Sequence, residues 1–250
     1  MIPLSVTIIT LNEEHSILRC LESVKPVAAE IVVADSGSTD NTVRICSDFG
    51  CRVFRKPFEG YGPQKQFAAD QATHEWILSI DADEVATPEL IAEIRGLLNR
   101  EPPMNGYRIP FSLCFMGRLM KHSGVGTEFH LRLFNRKEGR FTTVPVHEGI
   151  EISGPCGTLT GRIIHYSYRD ISHHLGKINT YTSQAATGYH QRGRKFPKIW
   201  VACKFPFSFF SFFILKGGIL DGYQGFMWSF LAAFYASLKI AKTIEMTPQK

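Results

Sequence analysis

Acidic residues nearly vanish from the last third of this chain. Positions 171–250 hold 10 Lys and Arg but only 2 Asp and Glu, against 18 and 21 in positions 1–170, so the tail is +8 and the rest −3. The six cysteines, Cys20, Cys46, Cys51, Cys114, Cys156 and Cys203, form no C-x-x-C pair and no metal-finger spacing, and no cleavable leader is evident. The expectation is reduced thiols in a cytoplasmic setting. There is no internal repeat and no low-complexity linker. The apolar run from Ile199 to Leu215 is broken by Lys204 and Pro206, which leaves it marginal as a spanning helix. Around the end of the first predicted strand, Thr10-Leu11-Asn12-Glu13-Glu14, neither Gly nor Lys occurs. A Gly-rich, basic phosphate loop of the nucleotidyltransferase kind is therefore not expected there.

What is present is a globular composition, 44% hydrophobic and 20% charged over 250 residues, sufficient for a substantial core. Val6 to Thr10 reads as a first strand, followed by a helix with Ile17, Leu18 and Leu21 at helical spacing. Ile31 to Ala34 is a second, fully buried strand. It stops at Asp35-Ser36-Gly37-Ser38-Thr39-Asp40, where Gly37 relaxes the backbone and Ser38 or Asp40 caps a helix carrying Val43, Ile45 and Phe49. A short strand at Arg52 to Phe54, a helix near Gln64 to Ala72, a strand from Trp76 and a helix opened by Thr87-Pro88 follow. Alternating strands and helices predict an α/β fold on a parallel sheet. Ligands of such sheets bind beyond the carboxyl ends of the strands. From Gly106 to about Tyr168 the texture changes to short strand-like pieces, and a polar helix around Asp170 to Arg192 leads into the tail.

The stretch Trp76-Ile77-Leu78-Ser79-Ile80-Asp81-Ala82-Asp83-Glu84 is an apolar run that ends abruptly in carboxylates. Asp81 and Asp83, two apart, are expected to project to one side at a strand end. Paired carboxylates there suit Mg²⁺ or Mn²⁺, which complete their shells with water and phosphate oxygens. On its own a D-x-D also occurs in turns and N-caps.

Thr10 to Glu14, Asp35 to Asp40 and Asp81-Ala82-Asp83, in that order and spacing, resemble the family 2 glycosyltransferases over roughly residues 4 to 170. The resemblance implies the GT-A fold, a nucleotide-sugar donor and inversion at the anomeric carbon. Arg132 to Arg136, Val146-His147-Glu148 and Gly217 to Gly222 are similar to the branch containing the lipopolysaccharide core β-1,4-glucosyltransferases. Carried residue by residue, Asp35 meets the base or ribose, with Thr10 and Asn12 lining the same slot and Glu13 or Glu14 facing the nucleotide or solvent. Asp83 contacts the metal, and Asp81 holds the ribose or a metal-bound water. His165 either completes the metal shell or is structural. Arg132 clamps a phosphate or is plain surface. Many relatives place their general base in a Glu-Asp pair, which is lacking here, and Glu148 takes that role by the resemblance to its branch.

Seven of the nineteen phenylalanines fall between Phe196 and Phe213, with Arg192, Arg194, Lys195 and Lys198 before them and Lys216 after. Consecutive apolar residues flanked by cations fit a membrane surface and not nucleic acid. The other reading is that two helices, the second over Phe226 to Leu238, simply cover the catalytic domain. The expected organisation is a GT-A domain at 1–170 and a helical, membrane-associating extension at 171–250. Its expected activity is transfer of a hexose, glucose from UDP-glucose foremost, onto a lipid-linked saccharide at the inner face of the cytoplasmic membrane. A polyprenyl phosphate is the alternative acceptor.

Overall fold

The computed structural model describes residues 2–126, 128–142 and 149–246. Its contacts divide the chain into two compact units, Met1–Ser112 with Glu128–His165, and Leu113–Thr127 with Tyr166–Lys250.

The first unit is built on a mixed sheet. β1 (Leu4–Thr10) is buried along nearly its whole length and lies between β2 (Glu30–Asp35) and β4 (Trp76–Asp81), both parallel to it. β3 (Arg52–Arg55) extends the parallel part beyond β2. β1, β2 and β4 are sealed on both faces, which is why they read as continuous apolar runs and not as alternating ones. α1 (Ile17–Val24) buries Ile17, Cys20, Leu21 and Val24, one helical stripe, in the same core as Val6, Ile8 and Ile80. α2 (Thr42–Asp48) and α3 (Tyr61–Asp70) complete the parallel crossovers.

Beyond β4 the chain turns at Ala82 and Asp83 and enters β5 (Glu84–Ala86), so the expected strand through Glu84 is two strands with a turn between. α4 (Pro88–Leu98) begins as expected, with Thr87 Oγ1 accepting from Leu90 N–H at 3.3 Å and proline at the first helical position. β6 (Gly106–Phe115), β7 (Arg118–Leu119), β8 (Phe129–Asn135), β9 (Gly139–Phe141), β10 (Ile150–Ile152), β11 (Cys156–Thr158) and β12 (Ile163–His165) make up the region of short strand-like pieces. β8 runs antiparallel to β4, and the sheet order is β3-β2-β1-β4-β8-β6-β12-β5.

One half-buried carboxylate ties the parallel strands together. Glu30 accepts from Ser5 Oγ at 2.6 Å, Thr73 N–H at 2.5 Å, Thr73 Oγ1 at 2.7 Å and Arg52 at 2.6 Å. Burial opposes its ionisation, but these donors outweigh it and bring its pKa from 4.5 down to about 2. A carboxyl depressed on folding stabilises the native state above its unfolded pKa, and that contribution fades as pH falls from about 4.5 toward 2. Glu30→Gln is expected to lower unfolding stability at pH 7 by about 2–3 kcal/mol, and to flatten its fall in that acid window, in urea titrations. An unchanged acid limb in the variant would contradict the assignment.

The second unit is helical. Asp170 caps α5 (Ile171–Gln191) by accepting from His173 N–H at 2.7 Å. α6 (Ile199–Phe210) runs into a π-helical turn over Ser211–Leu215, and a 3₁₀ turn at Gly218–Asp221 precedes α7 (Gly222–Glu245). Phe205 meets Phe230 and Phe209 meets Phe226 edge to face, with centroids 5.3 and 5.5 Å apart, so the two tail helices pack on one another as expected. Gly225 has no room for a side chain, since a Cβ there would stand 1.8 Å from the Gly218 carbonyl oxygen.

Residues 113–127 were placed by sequence in the first domain, yet they belong to this unit. Phe115 and Met120 share a core with Ile178 and Leu231, and Asp221 accepts from the backbone N–H groups of Lys121 and His122 at 3.3 and 2.9 Å. Among the described residues no single helix is long and apolar enough to cross a membrane. Ile199–Leu215 and Gly218–Glu245 pass that test only as a pair, bent by 70°.

Candidate active site

Parallel strands turn back at one edge of the sheet, and β2, β1 and β4 do so side by side. Thr10 is level with Asp35, and Ile9 with Asp81. The turns after β1 and β2 are stitched together by hydrogen bonds. Asn12, at φ 54°, accepts from Thr39 N–H at 2.8 Å while its own N–H donates to Ser38 Oγ at 2.9 Å. Asparagine suits this position because it tolerates the left-handed region and its short amide bonds locally. Glu13 N–H donates to Thr42 Oγ1 at 2.8 Å, and Glu14 N–H to Asp40 at 3.1 Å. The Asn41 backbone and side-chain amides donate to Glu14 Oε2 and hold its carboxyl below the ordinary value. Asp40 also accepts from Thr42 N–H at 2.9 Å, but the N-cap of α2 is Asn41 with no side-chain capping bond, so neither expected cap, Ser38 or Asp40, holds that position.

Asp35 is fully buried. Its Oδ2 accepts from Gly37 and Ser38 N–H at 2.9 and 3.0 Å, and its Oδ1 from Ser38 Oγ at 2.5 Å. These three bonds shape the turn after β2 and leave acceptor capacity on Oδ1, which accepts one of them. Thr10 Oγ1, by contrast, is buried with no hydrogen-bond partner among the described residues. Such orphans are rare in native structures and call for a partner.

At the end of β4 the two acidic residues separate. Asp81 lies within 3.0 Å of both Lys65 Nζ and Arg132 Nη2. Burial opposes its charge, but the two cations hold its carboxyl well below the usual range. Arg132 also reaches Glu84 Oε1 at 2.8 Å, and Glu84 Oε2 accepts from Asp81 N–H at 2.8 Å. Burial, together with the neighbouring Asp81, pushes Glu84 up to about 7 although Arg132 works the other way. β8 sets this up: Leu133 is opposite Leu78, and the antiparallel direction carries the preceding Arg132 toward the end of β4. Arg132 is thus a buried partner of two carboxylates, with its guanidinium 5.1 Å from the centre of the Phe111 ring.

Asp83 keeps different company. β12 runs antiparallel to β5 with His165 opposite Glu84, which brings His165 Nε2 to 3.2 Å from Asp83 Oδ2. Burial works against a charge on His165, but Asp83 beside it raises its pKa above the ordinary value. A carboxylate oxygen next to an imidazole nitrogen suits Mn²⁺ or Mg²⁺ with substrate oxygens completing the shell. No group of three or more His, Cys, Asp and Glu fit to hold a metal occurs among the described residues. Asp83 and His165 are two donors that an ion could take together with substrate oxygens, while Asp81 is paired with two cations.

Sequence reasoning missed Lys65 and Glu84. Lys65, 3% exposed, lies on the same helical stripe as the buried Ala68 and Ala69, and a lysine among such residues was the available signal. Glu84 follows Asp83 directly, but nothing in the sequence told a buried partner from a solvated residue. Glu148, the expected base, and His147 lie outside the described residues.

The family model for glycosyl transferase family 2 matches residues 5–158. Over 98% of this chain and 87% of its own length, an uncharacterized glycosyltransferase of Rickettsia typhi is 31% identical. The lipopolysaccharide core biosynthesis glycosyltransferase LpsC of Rhizobium meliloti is 32% identical over 98% of this chain and 93% of its own. Among solved structures, glucosyl-3-phosphoglycerate synthase from Mycobacterium tuberculosis, in complex with Mn²⁺, uridine diphosphate and glucosyl-3-phosphoglycerate, is 26% identical. It covers 44% of each chain with a TM-score of 0.37. With a GT-A-like mixed sheet, its carboxyl-edge turns and a family match over most of that sheet, this chain belongs to glycosyl transferase family 2.

Proposed function

We propose that the enzyme transfers a hexose, glucose from UDP-glucose foremost, with inversion onto a lipid-linked glycan such as the lipopolysaccharide inner core, at the inner face of the cytoplasmic membrane. The observation that carries the transfer chemistry is the row of strand ends: the stitched turns after β1 and β2 stand beside Asp81, Asp83 and His165. The core-glycan acceptor is supported by the full-length likeness to LpsC.

In this reading the nucleotide lies against the turns after β1 and β2, with the orphan hydroxyl of Thr10 toward it and the turn held in shape by Asp35 and Asn12. Asp83 and His165 would hold a divalent ion, which when bound would neutralise charge on the departing diphosphate. Lys65 and Arg132 keep Asp81 ionised, ready to accept from a ribose hydroxyl or a bound water. Glu148 accepts the proton of the acceptor hydroxyl as its oxygen attacks the anomeric carbon from the face opposite the leaving group. The new glycosidic bond forms as the bond to the diphosphate breaks.

Hydrolysis of a panel of nucleotide sugars with Mn²⁺ and Mg²⁺ tests the donor without any acceptor, and UDP-glucose is expected to be cleaved fastest. Glu148→Gln is expected to lower transfer at least ~10³-fold while donor binding, measured calorimetrically, stays within about twofold. Full turnover in that variant would remove Glu148 from the mechanism. Product analysis with a core saccharide and with a polyprenyl phosphate decides between the two acceptors.

A further inference from the structure

The helical unit contains a cavity of about 390 Å³ whose lining is chiefly apolar yet carries Lys177, Lys204 and Lys239 and no acidic residue. That volume falls within the range of small-molecule sites. The wall formed by Tyr168, His174 and Trp228 is a tight aromatic cluster, with the Tyr168 and His174 rings stacked 3.7 Å apart. His174 is 6% exposed, and its Nδ1 and Trp228 Nε1 are buried with no hydrogen-bond partner among the described residues. Burial pushes the His174 pKa down to about 4, so the ring is neutral at pH 7. Three lysines and no acidic residue around one chiefly apolar cavity, with an unpaired indole donor among its lining residues, suit an anionic oxygen acceptor. Close by in the same unit, α6 and its π-helical turn present Trp200, Phe207 and Leu215 at 52%, 67% and 69% exposure. Apolar residues so exposed, next to cations, suit the boundary between lipid head groups and acyl chains.

We propose that this cavity binds the phosphate-bearing head of an anionic membrane lipid, while the aromatic side of α6 meets the acyl chains. This does not depend on the catalytic assignment, because every residue it uses lies in the helical unit.

The test is binding of the full-length chain to sedimented phosphatidylcholine vesicles with and without about one third phosphatidylglycerol. Wild type is expected to bind only the anionic vesicles. Lys177→Gln/Lys204→Gln/Lys239→Gln is expected to weaken that binding about 100-fold. Ala236→Trp, which fills the cavity, and Trp228→Phe, which removes the unpaired donor, are each expected to weaken it at least about fivefold. UDP-glucose hydrolysis and circular dichroism of each variant separate lost lipid binding from lost folding or lost catalysis. Failure of wild type to bind anionic vesicles would overturn the proposal. So would undiminished binding by both Ala236→Trp and Trp228→Phe, which would reduce the lysines to diffuse surface charge. Protection by inorganic phosphate against thermal unfolding equal to that by the anionic vesicles would also overturn it, since the site would then be for the free ion.

Discussion

Asp83→Asn is expected to reduce sugar transfer at least ~10³-fold while leaving the thermal midpoint within a few degrees of wild type. Asparagine is close in shape and can still bond His165, so the turn between β4 and β5 keeps its geometry. What disappears is the negative charge beside His165, and with it the attraction for a divalent ion where the leaving diphosphate would gather charge. The same variant is expected to need at least about tenfold more Mn²⁺ for half-maximal donor hydrolysis, which a merely structural defect would not require. Turnover near wild type at ordinary Mn²⁺ would show that Asp83 carries no metal.

Arg132→Met is expected to have the largest effect on stability, about 3–5 kcal/mol. Arg132 is 9% exposed and bonds both Asp81 and Glu84, so removing it leaves two carboxylates in low dielectric with Lys65 as their remaining cation near Asp81. A surface phosphate clamp, by contrast, would be lost with little change in folding. Urea unfolding measures the difference. Glu84→Leu/Arg132→Met is expected to recover part of the loss, because the buried charge that lost its partner is removed as well. If the single variant unfolds at the wild-type midpoint, the guanidinium is not the internal tie described here.

Local sequence made much of the first unit legible. The apolar runs at β1, β2 and β4 can only be strands sealed on both faces, and Thr87-Pro88 is a helix start because both residues satisfy or omit the donors a helix leaves free. The polar edge of the sheet was legible too, since the strands end where polar clusters begin. The division of labour among the carboxylates was not. Asp81, Asp83 and Glu84 are adjacent in sequence and chemically alike, yet one answers two cations, one an imidazole and one is nearly buried. Those differences come from Lys65, Arg132 and His165, which are 16, 51 and 82 residues away from their partners in the chain.

Asp35 gives a second case, for its motif suggested a ligand contact and only the fold shows that it also organises its own turn. The second unit shows it again, because Phe115 and Met120 joined the helices through contacts with Ile178 and Leu231 that no local pattern announces. By itself the sequence determined the parallel sheet, its ligand-bearing edge, the family and the contrast between an acidic catalytic part and a basic, Phe-rich tail. These follow from periodicity, turn chemistry and charge, all of which are local. Only the tertiary structure decided which partner each carboxylate meets and which lysines of the tail line one cavity. Charge state and accessibility depend on neighbours that are distant in the chain and meet only when it folds.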